Sequence, residues 1–451
     1  MSTKTAPPTE YEHLHRDVPQ WFLDAKLGIF MHWGVYAVPA WAEPSGEFGT
    51  PDESPTFERH PYAEWYANSI RIEGSTAERH HRETYGDLPY ESLLDRWRAE
   101  SFDPDDIAEL ARATGARYFI PTAKHHDGVA LWDAPGSGDF NTVRRGPKRD
   151  IVGELAHAVR RKGLRFGAYY SGGIDWHAVP APPMIDKPDS PEDEVKGRST
   201  GAEYAEYAYR HVVDLIDRYA PDVLWGDIDW PDEGKTPGPH SLIDLFDRFY
   251  AAAPDGVVND RWGRTHWDFR TTEYQLDTHV PGEAWENCRG IGYSFGYNAQ
   301  ETAEHRISGP DLIRYFVDIV AGGGNLLLNI GPKADGTVPQ EQREVLSALG
   351  GWNAVYGDAV FGTRPVAEDR AAPSDAPWVR WTAKDSRLFA VVDASGEVPL
   401  AVAAHTVVPD SAALMDGTAV PCVATESGML VRLPDVPAIG PHVVVFDAVD
   451  G

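Results

Sequence analysis

Short apolar runs recur along the first three quarters of the chain, each flanked by amphipathic stretches. Leu27-Gly-Ile-Phe-Met-His-Trp33, Arg117-Tyr-Phe-Ile-Pro-Thr-Ala-Lys-His125, Leu164-Arg-Phe-Gly-Ala-Tyr-Tyr-Ser171, residues 222–227 and 256–260, and Asn325-Leu-Leu-Leu-Asn-Ile330 are too apolar to have one wet face. That is the texture of parallel strands covered on both sides. Between them, residues 105–113, 151–160, 202–218, 241–252 and 310–320 carry helical spacing, and Asp103-Pro104 gives the first a cap followed by proline. Phe269-Arg-Thr-Thr-Glu-Tyr274 and Gly290-Ile-Gly-Tyr-Ser-Phe-Gly-Tyr297 are read as two further strands. About eight strands alternating with helices predict an α/β fold, a (β/α)8-like barrel.

The period changes near residue 360. Trp378-Val-Arg-Trp-Thr, Leu388-Phe-Ala-Val-Val392, Ala401-Val-Ala-Ala, Met429-Leu-Val-Arg-Leu433 and His442-Val-Val-Val-Phe446 follow one another with turn residues and no helix between them. They predict a small antiparallel β-sandwich. The expected division is a barrel catalytic domain over 1–360 and a C-terminal sandwich over 361–451. The polar insert from Val179 to Thr200 reads as a loop at the rim of a pocket.

In a barrel of this kind the chemistry sits where the strands end. The exits here carry His32, His125, His126, Tyr169, Tyr170, Trp225, Asp227, Arg261 and Glu273. Carboxylates, imidazoles and aromatic rings together suit a sugar, whose hydroxyls need fixed donors and acceptors and whose C–H face packs on a ring. Tyr169 and Tyr170 are adjacent on one strand and must face opposite ways, so one of them, expected to be Tyr169, reaches a ligand.

Composition narrows the partner. With 41 Lys and Arg against 70 Asp and Glu, the 451-residue chain has a formal charge of -29, which repels nucleic acid and anionic membranes and favours a neutral substrate. Cys288 and Cys422 have no metal or disulfide spacing. The start is polar, without the apolar core of a signal peptide, and a cytoplasmic protein is expected. The sequence leaves a homo-oligomer open.

Several long motifs then fall into a known order. Trp21-Phe-Leu-Asp-Ala-Lys-Leu-Gly-Ile-Phe-Met-His-Trp-Gly-Val-Tyr36, Glu64-Trp-Tyr66, Lys124-His-His-Asp-Gly128, Tyr169-Tyr-Ser-Gly-Gly-Ile-Asp-Trp176, Asn259-Asp-Arg-Trp262 and Gly323-Gly-Asn-Leu-Leu-Leu-Asn-Ile-Gly-Pro332 resemble the motif series of the retaining α-L-fucosidases, glycoside hydrolase family 29. The resemblance implies a barrel followed by a β-sandwich, a fucosylated glycoside or oligosaccharide as substrate, and no cofactor or metal. By position, Asp227 resembles the family nucleophile. Many members read Trp-Phe-Asp-Gly where this chain has Trp225-Gly-Asp-Ile228. Glu273 resembles the general acid/base, with Glu283, Glu286 and Glu301 as rivals; Asp229 is the rival nucleophile. His32, Glu64, Trp65, His125, His126, Tyr169, Trp225 and Arg261 match positions that hold the sugar, and Phe295 and Tyr297 are candidates for an apolar wall. Lys148-Arg-Asp150 and Asn325 also recur in the family and are read as structural. Two other readings remain: a non-catalytic fucose-binding protein, and a metal-dependent hydrolase using His32, His125, His126 and Asp227.

Overall fold

The computed structural model describes residues 8–47, 57–185, 197–276, 282–403, 405–437 and 439–449. Eight parallel strands curl into one sheet: β1 (Leu27–Met31), β2 (Tyr118–Lys124), β3 (Arg165–Ser171), β4 (Val223–Asp227), β5 (Val257–Val258), β6 (Arg270–Glu273), β7 (Trp285–Gly290) and β8 (Asn325–Ile330). Their order is β5-β4-β3-β2-β1-β8-β7-β6, and a single parallel bridge, Asn259 to Phe269, links the two edges. The barrel is therefore a curled sheet that closes at one weak seam.

Side chains alternate across this sheet as a pleated strand requires. Phe30, Tyr118, Ile120, Tyr169, Val223, Trp225, Val257, Cys288 and Leu327 point inward and form one buried cluster, plugged from below by Phe22 and Phe269, whose rings lie 4.4 Å apart. Ile29, Met31, Phe119, Phe166, Tyr170, Leu224, Leu326 and Leu328 point outward and pack on the helices. The interior approach is tight at Gly28, where a Cβ would stand 2.3 Å from the Tyr118 ring.

The helices start where the sequence caps them. Asp103 accepts from the N–H groups of Asp105 and Asp106 at 2.9 and 3.2 Å, with Pro104 in the first turn. Asp150, Ser241 and Ser308 each accept an N–H three residues on, opening the helices Ile151–Arg161, Leu242–Ala252 and Gly309–Ala321. Asp150 thus has the structural role expected of it. Asn325 does too: it accepts from Lys26 N–H at 3.1 Å and donates to the Phe22 carbonyl at 2.8 Å, tying the barrel floor to the short helix Gln20–Ala25 that leads into β1.

Two expectations need correction. The strand expected over 290–297 lies earlier, over Trp285–Gly290, and residues 291–297 form a loop at its exit. The expected strand at Ala401 is reduced to a bridge from Val402 to Ala371, while Gly396–Leu400 and Cys422–Thr425 are strands that the pattern missed. Part of the 179–200 insert, residues 186–196, lies outside the described residues.

After the helix Gln340–Tyr356 come two antiparallel sheets. One runs Ser374–Asp375, Trp378–Lys384, Arg387–Asp393, His442–Asp447, Ala413–Leu414, with Arg364–Pro365 on the second strand; the other runs Gly396–Leu400, Gly428–Leu433, Cys422–Thr425. Val379, Trp381, Leu388, Ala390, Val392, Met429, Val431, Val444 and Phe446 fill the space between the sheets, giving a β-sandwich. The opposite face of the larger sheet, with Trp378, Phe389, Val391 and Val443, joins the cluster around the barrel helices. Ion pairs from Arg380 to Asp318 and from Arg314 to Asp393 frame that junction.

Candidate active site

Inward-facing positions near the ends of the strands carry polar groups: His32 just beyond β1, Asp227 at the end of β4, Glu273 at the end of β6 and Asn329 in β8. Registers put some of them level, Ser171 of β3 standing beside Asp227 and Glu273 beside Cys288 of β7. His125 and His126 follow β2, where a register shift between Thr122 and Lys124 turns the chain.

Arg261, just past β5, joins the two carboxylates. Its Nη1 donates to Asp227 Oδ1 at 3.2 Å and its Nη2 to Glu273 Oε2 at 3.0 Å. Nε donates to Thr271 Oγ1 at 3.0 Å, and that hydroxyl donates to Asp260 at 2.7 Å. The guanidinium lies over the Trp225 ring, 4.8 Å from its centre. A planar fork with its three nitrogens committed fixes both acids in one plane of approach.

Each acid has a second donor. The Tyr169 hydroxyl donates to Asp227 Oδ2 at 2.8 Å, and the Tyr62 hydroxyl donates to Glu273 Oε1 at 2.7 Å. Burial pushes both phenols well above their ordinary range, so they remain donors at any working pH. Tyr170 faces the other way, on the helix side against His211, as adjacent strand residues must.

The imidazoles have defined faces. His32 Nδ1 meets Asn329 Oδ1 at 2.7 Å, and Asn329 is oriented by its own donation to the Phe295 carbonyl at 2.6 Å. His126 Nδ1 meets Ser171 Oγ at 2.7 Å, and that hydroxyl donates to the Ile174 carbonyl at 2.7 Å, so the imidazole is the donor of the pair. In both rings Nε2 is left as an acceptor, at 4.0 Å from Asp227 Oδ2 in His126. Burial pushes His32 down to about 3 and His126 down to about 4, which keeps them neutral. His125 Nδ1 is buried with no partner among the described residues, and its ring stacks on Tyr169 at 5.6 Å.

Aromatic rings and a buried acid complete the surroundings. Trp65 stacks on Phe57 at 4.4 Å and meets His126 edge-on at 5.0 Å. Phe295 packs on His32 at 4.9 Å, and its loop is held by Glu64, whose Oε2 accepts from Gly296 N–H at 2.8 Å and from the Ser294 hydroxyl at 3.1 Å. Burial pushes Glu64 up to about 7. Tyr297 stands apart from this ring cluster, beneath the Lys333 ammonium, 5.7 Å from its centroid.

The rival acids lie elsewhere. Glu286 is inside the barrel beneath the site, accepting from Trp225 Nε1 at 2.9 Å and from the Tyr118 hydroxyl. Glu283 is half exposed and pairs with Arg270. Glu301 accepts the Ser294 N–H at 2.7 Å behind the Phe295 loop. Asp229 turns away to Lys235 at 2.7 Å and Arg198 at 3.4 Å. Sequence reasoning missed Tyr62, Thr271, Ser171 and Asn329. Each had a signal in its place: Tyr62 two residues before Glu64-Trp65, Ser171 and Asn329 inside the Tyr169–Trp176 and Gly323–Pro332 motifs, and Thr271 two residues before Glu273.

Against known proteins, the α-L-fucosidase family model matches residues 2–358. The chain belongs to the α-L-fucosidase family. It is a glycoside hydrolase by that membership. An α-L-fucosidase of Dictyostelium discoideum is 31% identical over 371 residues, covering 79% of this chain and 74% of the relative. The crystal structure of Thermotoga maritima α-fucosidase is 43% identical and superposes with a TM-score of 0.84, covering 98% of this chain and 99% of that one. The same Thermotoga enzyme in complex with fucose gives 42% identity and a TM-score of 0.85, with 98% and 99% covered. The match to the Thermotoga fold extends through the β-sandwich, beyond the end of the family match.

Proposed function

We propose that this fucosidase is exo-acting and retaining, releasing terminal α-L-fucosyl residues from glycosides or oligosaccharides by double displacement. The observation that carries the reading is the bridge of Arg261 between Asp227 and Glu273. It brings two carboxyl groups to the two ends of one guanidinium, an arrangement that suits the close pair, ~5 to 5.5 Å apart, of a retaining enzyme better than the wider pair that leaves room for a water.

In this mechanism Asp227 attacks the anomeric carbon while Glu273 protonates the leaving oxygen. The C1–O bond breaks, the Asp227–C1 bond forms, and a fucosyl ester results. Glu273, now a carboxylate, takes a proton from water, the water oxygen bonds to C1, and Asp227 leaves. Net configuration is retained. Tyr169 and Arg261 hold one oxygen each of Asp227 and set the attack direction. The acceptor nitrogens of His32 and His126 suit sugar hydroxyls, and Phe295 and Trp65 suit its apolar face. The polar site needs a neutral ligand, in keeping with the acidic chain. The free thiols Cys288 and Cys422 suit a reducing cytoplasm.

The metal-hydrolase alternative is disfavoured by geometry. Among the described residues no three His, Cys, Asp or Glu side chains converge as a ligand set. A fucose-binding protein without turnover would have no use for two carboxylates locked on one arginine.

Hydrolysis of aryl α-L-fucosides tests the assignment. Asp227→Gly is expected to lower kcat by about 10³-fold or more with the fold intact. Glu273→Ala is expected to cripple substrates with poor leaving groups and to spare those with good ones. Near-normal turnover in the Asp227 variant would remove the proposed nucleophile.

A further inference from the structure

Both oxygens of Glu273 are occupied before any substrate arrives, one by Arg261 and the other by Tyr62. These partners differ in kind. A guanidinium is charged and only donates, so it claims the oxygen that stays the better acceptor; a neutral phenol hydroxyl can donate to the remaining lone pair of an oxygen that carries a proton. The transferable proton of Glu273 therefore belongs on Oε1, the oxygen beside Tyr62.

Tyr62 is built to stay in place. Its ring is 7% exposed and packs edge-on against His60 at 4.4 Å and Phe295 at 5.4 Å. Its N–H donates to His60 Nδ1 at 3.2 Å. It comes from the loop between β1 and β2, far in sequence from Glu273, so nothing in local folding forces the contact.

We propose that Tyr62 is the positioning residue of the proton-transfer step: its hydroxyl donates to a lone pair of Glu273 Oε1, which leaves the Oε1–H directed at the glycosidic oxygen, and it donates more strongly to the carboxylate that remains. The atoms balance without a further reactant. The Oε1–H bond breaks, the proton goes to the leaving oxygen, the C1–O electron pair goes with that oxygen, and the Tyr62 hydroxyl keeps its own proton and stays a donor throughout. In the second displacement the sequence reverses as Glu273 takes a proton from water. The proposal rests on Glu273 being the acid/base.

A hydrogen bond to a charged group is strong enough for its loss to slow an acid-dependent step roughly 10- to 100-fold. The test is kcat/KM for Tyr62→Phe, Glu273→Ala and the double variant on aryl α-L-fucosides of graded leaving-group acidity, with inhibition by free fucose as a check on the pocket. Phenylalanine keeps the packing on His60 and Phe295. The expected result is a loss of roughly 10- to 100-fold for the poorest leaving group, shrinking to within about 3-fold for the best, with fucose inhibition unchanged. In the Glu273→Ala background the second change should add nothing. A Tyr62→Phe loss that is the same for every leaving group, or that multiplies with the Glu273→Ala loss, overturns the role of Tyr62 alone. If Glu273→Ala itself loses equally on all leaving groups, the acid lies elsewhere, and both the assignment and this proposal fall.

Discussion

Arg261 is the residue on which the two acids depend, and its chemistry is not replaceable by charge alone. The guanidinium reaches Thr271, Asp227 and Glu273 through three different nitrogens. A lysine would place one compact ammonium there, able to sit beside one carboxylate but not to hold both in a fixed fork. Arg261→Lys is therefore expected to lower kcat/KM by about 10²-fold, mostly in kcat, since what is lost is orientation at the reacting centre. Steady-state kinetics with circular dichroism to confirm folding would decide it. A loss confined to KM would mean that the arginine serves sugar binding and leaves the acids alone. Such a residue is hard to assign from sequence. The motif resemblance gave Arg261 a contact with sugar, whereas its bridging role depends on β5 and β6 lying side by side, which no local pattern encodes.

At the scale of elements, the turns after both acids are held in a rare backbone shape. Ile228 and Asp229 have φ of 54° and 74°, and Tyr274, following Glu273, has φ of 57°. For a β-branched residue the left-handed region costs ~1–2 kcal/mol, and Asp229 is braced there by Lys235 and Arg198 while its N–H donates to the Arg261 carbonyl at 3.0 Å. The turn thereby ties the β4 exit to the arginine. One residue before Asp227 the packing is equally strict: a Cβ on Gly226 would stand 2.4 Å from the Trp262 ring, which is fully buried. Gly226→Ala should cost about 1–3 kcal/mol of stability and shift Asp227 away from Tyr169. Thermal denaturation and turnover would both register it; an unchanged melting temperature would show that Trp262 moves freely. The elements also differ in how plainly the sequence announced them. β1 to β4 and β8 are mostly apolar runs because both their faces are covered. β7, Trp-Glu-Asn-Cys-Arg-Gly, is polar yet buried throughout, because Trp225 and Tyr118 satisfy Glu286 while Asn287 donates to Thr272 and accepts from Tyr315. Hydrophobic periodicity cannot see a strand whose partners are hydrogen bonds from distant residues, and it placed the strand too late in the chain.

For the whole molecule, buried ionisable groups of opposite habit set the pH range of stability. Burial holds His32, His60 and His211 at about 3 and His126 and His266 at about 4, against 6.5 in the open chain. The unfolded chain binds these protons first, so their contribution is present above pH 6.5 and is lost as the pH falls toward 4 and 3. Glu64 and Glu286 are pushed up to about 7 and Glu301 to about 8, against 4.5. Here the folded chain holds the protons longer, so their contribution is complete below pH 4.5 and is lost as the pH rises through 7 and 8. The two slopes oppose each other between 4.5 and 6.5, and above 6.5 only the glutamate slope remains. Melting temperature should therefore peak near pH 6.5 and decline toward pH 8.5. Ordinary surface carboxylates are already ionised well below that window, so the decline belongs to the buried acids and not to the general negative charge. Glu301→Gln isolates one of them: the amide oxygen can still accept the Ser294 N–H, but it has no proton to lose. Its melting curve should run flatter than that of the unsubstituted enzyme between pH 7 and 8.5, and parallel curves across that interval would show that Glu301 does not titrate there. Because Glu301 and Glu64 grip Ser294 from two sides of the Phe295 loop, ionisation of either places charge behind a wall of the proposed sugar pocket. KM is accordingly expected to rise between pH 7 and 8.5, and the same variant should soften that rise while leaving kcat untouched, since both acids bond the loop.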